Sequence, residues 1–403
     1  MQRLLLVPLI LTSLQACFDK GGVDELAIRG MAVADLDQDG AMDIVGIASD
    51  IEVSRGRHIA YLLINDINNP GNITLRQKFS IPGPPGTGAF SIAVGDLNHD
   101  GFADIAIQHE QTIYLLQQKP ASPGSFEAPV GIANDIPTFE MAIADLNQDG
   151  YGDIALFGYA GESSILFQDS MAAGRFLPRS ALGTGAKDLA IGDLDGDLIN
   201  DLAIIDQGQV KLLLQDQGVP GNFIPADQFG TPDQPDEIAL ADLDQDTRLD
   251  VVVKNSDVDT SASGSLGVWL QDDTNPGTFP HADHYGHLCI PHQMAVADLN
   301  HDGSPDLAVI TYGDLCTDSS IDFDKTYQET NLFFQIPATP GLFSPPFPLY
   351  VDGDPINPFQ VADFNNDGYN DLVSHDDNIF VLYYQNPASP GSFLGRTVVY
   401  DPN

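Results

Sequence analysis

A nine-residue pattern, D-x-[D/N]-x-D-x-x-x-D, recurs seven times in this chain, and its spacing constrains the fold more than any other feature. The copies begin at Asp35, Asp96, Asp145, Asp193, Asp242, Asp298 and Asp363, at intervals of 48 to 65 residues. Self-similarity on this scale marks a repeat architecture, in which each unit buries its apolar face against its neighbours. Every unit carries four pieces. An alternating run leads into the pattern ("MAVAD", "EMAIAD", "QMAVAD"), and a short apolar run follows it ("DIVGIA", "DIALF", "DVVVK"). A third apolar run comes next ("IAYLLIND", "VKLLLQD", "IFVLYYQ"), and a Pro/Gly turn then opens a fourth ("SPGSFEAPV", "NPGTFPHAD"). Short runs rich in Val, Ile, Leu and aromatics between turn residues read as strands. Four strands in each of seven units predict an all-β chain, a seven-bladed β-propeller of four-stranded antiparallel blades. One such sheet alone would bury too little surface to be stable. The last unit ends on its own fourth run, "FLGRTVVY", so the ring is expected to close by packing rather than by sharing strands.

The pattern itself has the chemistry of a hard-cation loop. Oxygen ligands at positions 1, 3 and 5 converge only if the backbone curls tightly, and Gly at position 6, present in five copies, permits a left-handed turn. An EF-hand is excluded, because position 12 is Gly46, Ile107, Leu156, Ile204, Val253, Val309 or Ser374 and never Glu. The expected ligands are Asp35, Asp37, Asp39 and Asp43; Asp96, Asn98, Asp100 and Asp104; Asp145, Asn147, Asp149 and Asp153; Asp193, Asp195, Asp197 and Asp201. The remaining three sets are Asp242, Asp244, Asp246 and Asp250; Asp298, Asn300, Asp302 and Asp306; and Asp363, Asn365, Asp367 and Asp371. Up to seven Ca²⁺ ions are expected, with weaker binding at 193–201 and 242–250, where Leu198 and Thr247 replace the glycine. Without metal, the same Asp and Asn residues could simply close side-chain-bonded turns.

Charge narrows the partners. Lys and Arg total 16 against 58 Asp and Glu, a formal net charge of −42. Nucleic acid has the same sign and is excluded as a partner, as is an anionic membrane surface for the body of the chain. Seven divalent cations would offset a third of that charge. The opening residues differ from the rest: "MQR", the apolar run "LLLVPLILTSL" and then "QAC". The run is too short to span a bilayer and reads as an export signal. "LQAC" resembles a bacterial lipoprotein cleavage box. The expected division is therefore a signal peptide at 1–16, a lipidated tether at 17–22 starting on Cys17, and the propeller at 23–403. The membrane is then met only through the lipid, at the bacterial cell envelope.

The seven motifs resemble the FG-GAP/VCBS repeat family, whose seven-bladed propellers include the integrin α-subunit head and many bacterial surface lipoproteins. The resemblance covers about 23–403. It implies that the calcium loops join the first and second strands of each blade, and that proteins or glycans bind the opposite face. On that face the second-to-third-strand connections are expanded at about 48–58, 254–266 and 311–330, and long loops on a rigid scaffold are where binding resides. Arg55, Arg57, Tyr312 and Tyr327 are candidate contacts there. Cys289 and Cys316 fall on the same rim, and a disulfide between them is expected in an exported protein. His281, His284, His287 and His292 match no ordered zinc spacing, and Trp269 lies in a third-strand run and is expected in the core. With no G-x-S-x-G and no H-E-x-x-H, the reading is a monomeric, non-catalytic binding or adhesion module for protein or glycan. A glycoside hydrolase or lyase, and a structural component of an envelope complex, are the alternatives.

Overall fold

A computed structural model describes residues 26–50, 58–83, 90–134, 138–158, 163–172, 174–182, 186–231, 234–256, 264–288, 291–312, 328–349, 359–376 and 379–400. They form seven four-stranded antiparallel sheets, each made of four consecutive strands paired in chain order. Blades 1 to 7 cover 26–81, 90–133, 138–181, 186–230, 235–288, 291–349 and 359–400. Among the described residues no sheet borrows a strand, so the ring closes by contact between blades 7 and 1 rather than by strand sharing, as expected. The seam is direct: the Asn65 side chain of blade 1 donates to the Phe364 carbonyl of blade 7 (2.7 Å).

The core is not one body but seven. Each hydrophobic cluster lies between two neighbouring blades, from Val45, Leu62, Ile105 and Phe126 between blades 1 and 2 round to Ile28, Tyr61, Phe364 and Phe380 between blades 7 and 1. Strand alternation explains this. In the second strand of blade 2 (Asp104–His109), Ile105 and Ile107 face blade 1 while Ala106 faces blade 3. A strand covered on both faces reads as a continuous apolar run, which is why the second runs lack alternation. First strands of successive blades touch one another at six of the seven seams. Trp269 is core, as expected, packing between blades 4 and 5.

Two expectations need adjustment. In blades 2, 3, 6 and 7 the aromatic after the Pro/Gly turn makes only an isolated bridge, Gln118↔Phe126, Gln168↔Phe176, Gln335↔Phe343 and Gln385↔Phe393. The ordered fourth strand starts later, and in blade 3 it is just Ser180–Ala181. Pro129, Pro178, Pro345 and Pro346 interrupt three of these runs by lacking the N–H that a ladder requires. The expanded connections are also narrower than the sequence suggested. Strands run to Asp50, Asn255 and Tyr312 on one side and resume at His58, Gly264 and Gln328 on the other.

The blade 7–1 seam rests on Phe380, fully buried, with its ring against Gly46 of blade 1 so closely that a methyl at Gly46 would overlap it. Phe380→Ala is expected to lower unfolding free energy by about 3–5 kcal/mol in denaturant titration, because the seam cannot collapse into the void.

Candidate metal centres

Each Asp-rich loop joins the first and second strands of its blade, so all seven lie on one rim. The loop folds by satisfying its own amides. In blade 3, Asp145 accepts from the N–H groups of Asp149 (3.2 Å) and Gly150 (2.9 Å). Asn147 accepts from Asp149 N–H (2.9 Å), and Asp149 from Tyr151 N–H (3.0 Å). Blades 2, 6 and 7 repeat this set.

Position 6 is left-handed in every copy, including Leu198 (φ 69°) and Thr247 (φ 78°), so the two deviant loops hold the same turn under strain. Position 4 is also left-handed: Gln38, His99, Gln148, Gln245, His301 and Asn366 have φ between 55° and 63°, and blade 4 has Gly196 there. Nothing about Gln announces that conformation, His does so only weakly, and it was not expected. It turns the position 4 side chain toward the next loop, where Gln245 donates to Gly303 O (2.9 Å) and His301 stacks on Tyr369 (ring centroids 4.2 Å).

The ninth-position aspartate plays a different part. Asp43, Asp104, Asp153, Asp201, Asp250, Asp306 and Asp371 are all buried. In Asp153, Oδ2 accepts from Leu146 N–H (2.9 Å) and Oδ1 from Gln168 N–H (2.8 Å), tying the loop to the third strand. Asp43, Asp201, Asp250, Asp306 and Asp371 make the same pair of bonds. The acceptor's partner, Asn65 or Gln118, Gln168, Gln215, Gln271, Gln335, Gln385, ends each third run. Its own amide donates onward, Gln168 to Gly152 O and Gln385 to Asn370 O, while Gln168 and Gln118 accept from the turn glycines Gly174 and Gly124. These residues were not singled out by sequence. The signal is there, since each precedes its turn glycine by six positions.

Burial dominates the electrostatics of these loops. Burial raises Asp43 to about 8, Asp104, Asp153, Asp250, Asp306 and Asp371 to about 7 and Asp201 to about 6, with the loop's other carboxylates adding to the rise against the backbone N–H groups. Burial first, and then a neighbouring loop carboxylate, also raises Asp37, Asp195 and Asp244. The donor sets fit a divalent cation. One carboxylate oxygen from each of Asp35, Asp37 and Asp39 lies within 4.8 Å of the others, and the same holds for Asp193, Asp195, Asp197 and for Asp242, Asp244, Asp246. Ligands at 2.3–2.6 Å from one ion span up to about 5 Å across it. Asp35 Oδ1 is a buried oxygen with no hydrogen-bond partner. In blade 5, Arg248 pairs with Asp246 and Asp273, placing a guanidinium on the ligand set.

Other predicted positions separate. Cys17, Cys289, Cys316, Arg55, Arg57 and Tyr327 lie outside the described residues, as do 1–25, and Tyr312 ends the second strand of blade 6 (Asp306–Tyr312) on the rim opposite the metal loops. His281 and His284 alternate on the outer strand His281–Leu288. His281 lies 4.0 Å from Asp283, His284 stands edge-on to Trp269, and His292 sits on a first strand beside Lys254.

A model of FG-GAP-like repeats matches residues 35–107 and 193–253. The seven blades are an FG-GAP repeat propeller. A Lactobacillus plantarum protein of solved structure is 11% identical, covers 87% of this chain and 94% of its own, and superposes with a TM-score of 0.51. A functionally unknown Desulfotomaculum acetoxidans protein is 12% identical over 89% of this chain and 99% of its own, with a TM-score of 0.49. No curated protein sequence matches the FG-GAP chain significantly.

Two substitutions separate the roles within one motif. In chelator, Asp153→Ala should cost about 2–5 kcal/mol in denaturant titration, since it strands two buried N–H groups, whereas Asp149→Ala should cost about 1 kcal/mol or less. Leu198 is 92% exposed and strained, so Leu198→Gly should raise stability by about 0.5–1 kcal/mol.

Proposed function

We propose that this FG-GAP propeller is a calcium-stabilised, non-catalytic binding module that presents the rim opposite its metal loops to a protein or glycan ligand. The observation that carries the reading is the asymmetry between the rims. One is occupied seven times over by the same folded loop. On the other, the second-to-third-strand connections differ from blade to blade. They are tight from His109 to Thr112 and from Asp206 to Gln209, and long from Asp50 to His58, Asn255 to Gly264 and Tyr312 to Gln328. A scaffold held constant on one side and varied on the other is suited to recognition. The export signal and Cys17 support attachment to the bacterial envelope through a lipid, with the acidic body held off the bilayer.

Calcium would be held by the oxygens at positions 1, 3 and 5, closing the like-charge repulsion that the metal-free loop carries. The ninth aspartate would brace the loop through its bonds to two backbone N–H groups. Binding only to the folded state, the metal should raise the unfolding temperature in proportion to the logarithm of its concentration. Asp100→Ala should remove one site and leave the others largely intact, because blades contact mainly their neighbours. An unfolding temperature indifferent to chelator would sink the metal reading. For the module itself, a glycan and protein array probed with and without chelator should show calcium-dependent capture without turnover. Release of reducing ends or unsaturated products would overturn it in favour of an enzyme.

A further inference from the structure

One of the seven loops carries a cation of its own. At position 5 of every motif, Oδ1 of the aspartate accepts from the N–H of position 7, from Ala41 in blade 1 (2.8 Å) round to Tyr369 in blade 7 (2.9 Å). Oδ2 is therefore the oxygen that the loop's own turn leaves for an ion. In blade 5 that atom, Asp246 Oδ2, accepts from Nη2 of Arg248. The same nitrogen donates to Oδ1 of Asp273 (2.5 Å).

Arg248 stands at position 7, which is Ala41, Phe102, Tyr151, Ile199, Ser304 or Tyr369 in the other copies. Asp273 lies two residues after Gln271, in the turn that follows the third strand, and no other blade has an acid at that place. The cation and its second anchor thus occur together, in one blade. A bond to Oδ2 is not unusual by itself. Asp39 Oδ2 accepts from Ile67 N–H (3.1 Å), and Asp197 Oδ2 from the Gln217 side-chain amide (2.7 Å). Those donors are neutral and leave a lone pair for a metal, whereas a guanidinium brings a full positive charge to the same oxygen.

We propose that the blade 5 loop is closed by Arg248 in place of a divalent cation, so that the propeller takes up calcium in its other loops and not at 242–250. The inference rests on the calcium reading of those other loops. An ion about 2.3–2.6 Å from Asp246 Oδ2 would sit about 5 Å from a guanidinium nitrogen bonded to the same oxygen. Like charges that close, one of them double, repel enough to weaken binding by about 100-fold. The tie to Asp273 holds the guanidinium there against the pull of solvent. Blade 4 is the internal control. Its loop also lacks glycine at position 6 and keeps the left-handed turn at Leu198, but position 7 is Ile199. Backbone strain would weaken both loops alike, whereas a resident cation removes the ion from blade 5 and spares blade 4.

The test counts bound calcium by equilibrium dialysis, in wild type and in Arg248→Ala, at a free calcium concentration that just saturates the wild type. Arg248→Ala installs the residue that blade 1 carries at this place, and the variant should bind one more ion per chain than wild type. An equal, non-zero count in the two proteins overturns the inference and leaves the calcium reading intact. No bound calcium in either protein sinks the calcium reading itself, and the inference with it. Anomalous diffraction from wild-type crystals grown in calcium needs no variant. A peak is expected among Asp193, Asp195 and Asp197 and none among Asp242, Asp244 and Asp246. A peak in the blade 5 loop, or empty loops in both blade 4 and blade 5, would overturn the proposal.

Discussion

The rest of the structure depends on the aspartate that closes each motif. It sits at the first residue of the second strand with no solvent, and its two oxygens take the N–H of the second loop residue and the N–H of the Asn or Gln ending the third strand. One side chain thus fixes where the loop returns, where the second strand starts, and how the third strand registers against it. A buried carboxylate is costly unless its oxygens are satisfied, and here the backbone satisfies them. The Asn or Gln amide then carries the same logic outward to the Pro/Gly turn. Each blade is pinned at one end by a polar knot, and seven apolar seams follow from the alternation of the strands that the knot aligns.

That knot explains how a chain of net charge −42 folds into a compact ring. The seven loops concentrate carboxylates at the motif positions, where backbone N–H groups hold them in place without neutralising them. The loops are chained around the rim, with Asn200 donating to Asp145 O (3.0 Å) and Asn370 to Asp298 O (2.8 Å). Repulsion left inside each loop is the driving force for taking up a cation on the proposed reading.

Much of this was legible in the residues. Seven copies of the motif specify seven blades, and runs such as "DIALF" are recognisable as strands because both their faces are covered. The clean ending "FLGRTVVY" already implied closure by packing, and the seam between Phe380 and Gly46 bears that out. Other features were hidden for physical reasons. The left-handed turn at position 4 leaves only a weak trace, in His99, His301, Asn366 and Gly196, because Gln in the other three copies is not selected by that backbone conformation. Leu198 and Thr247 carry a Cβ where the turn favours glycine, yet the surrounding bonds to Asp193 and Asp242 enforce the same turn.

The central claim is that one motif combines a backbone brace at position 9 with a cation site at positions 1, 3 and 5. Diffraction from crystals grown in calcium, with anomalous differences collected at long wavelength, tests it most directly. The account predicts peaks inside the loops, bounded by the oxygens at positions 1, 3 and 5, with the ninth aspartate still bonded to both N–H groups. Ordered loops that hold no anomalous peak at any of the seven positions would contradict it.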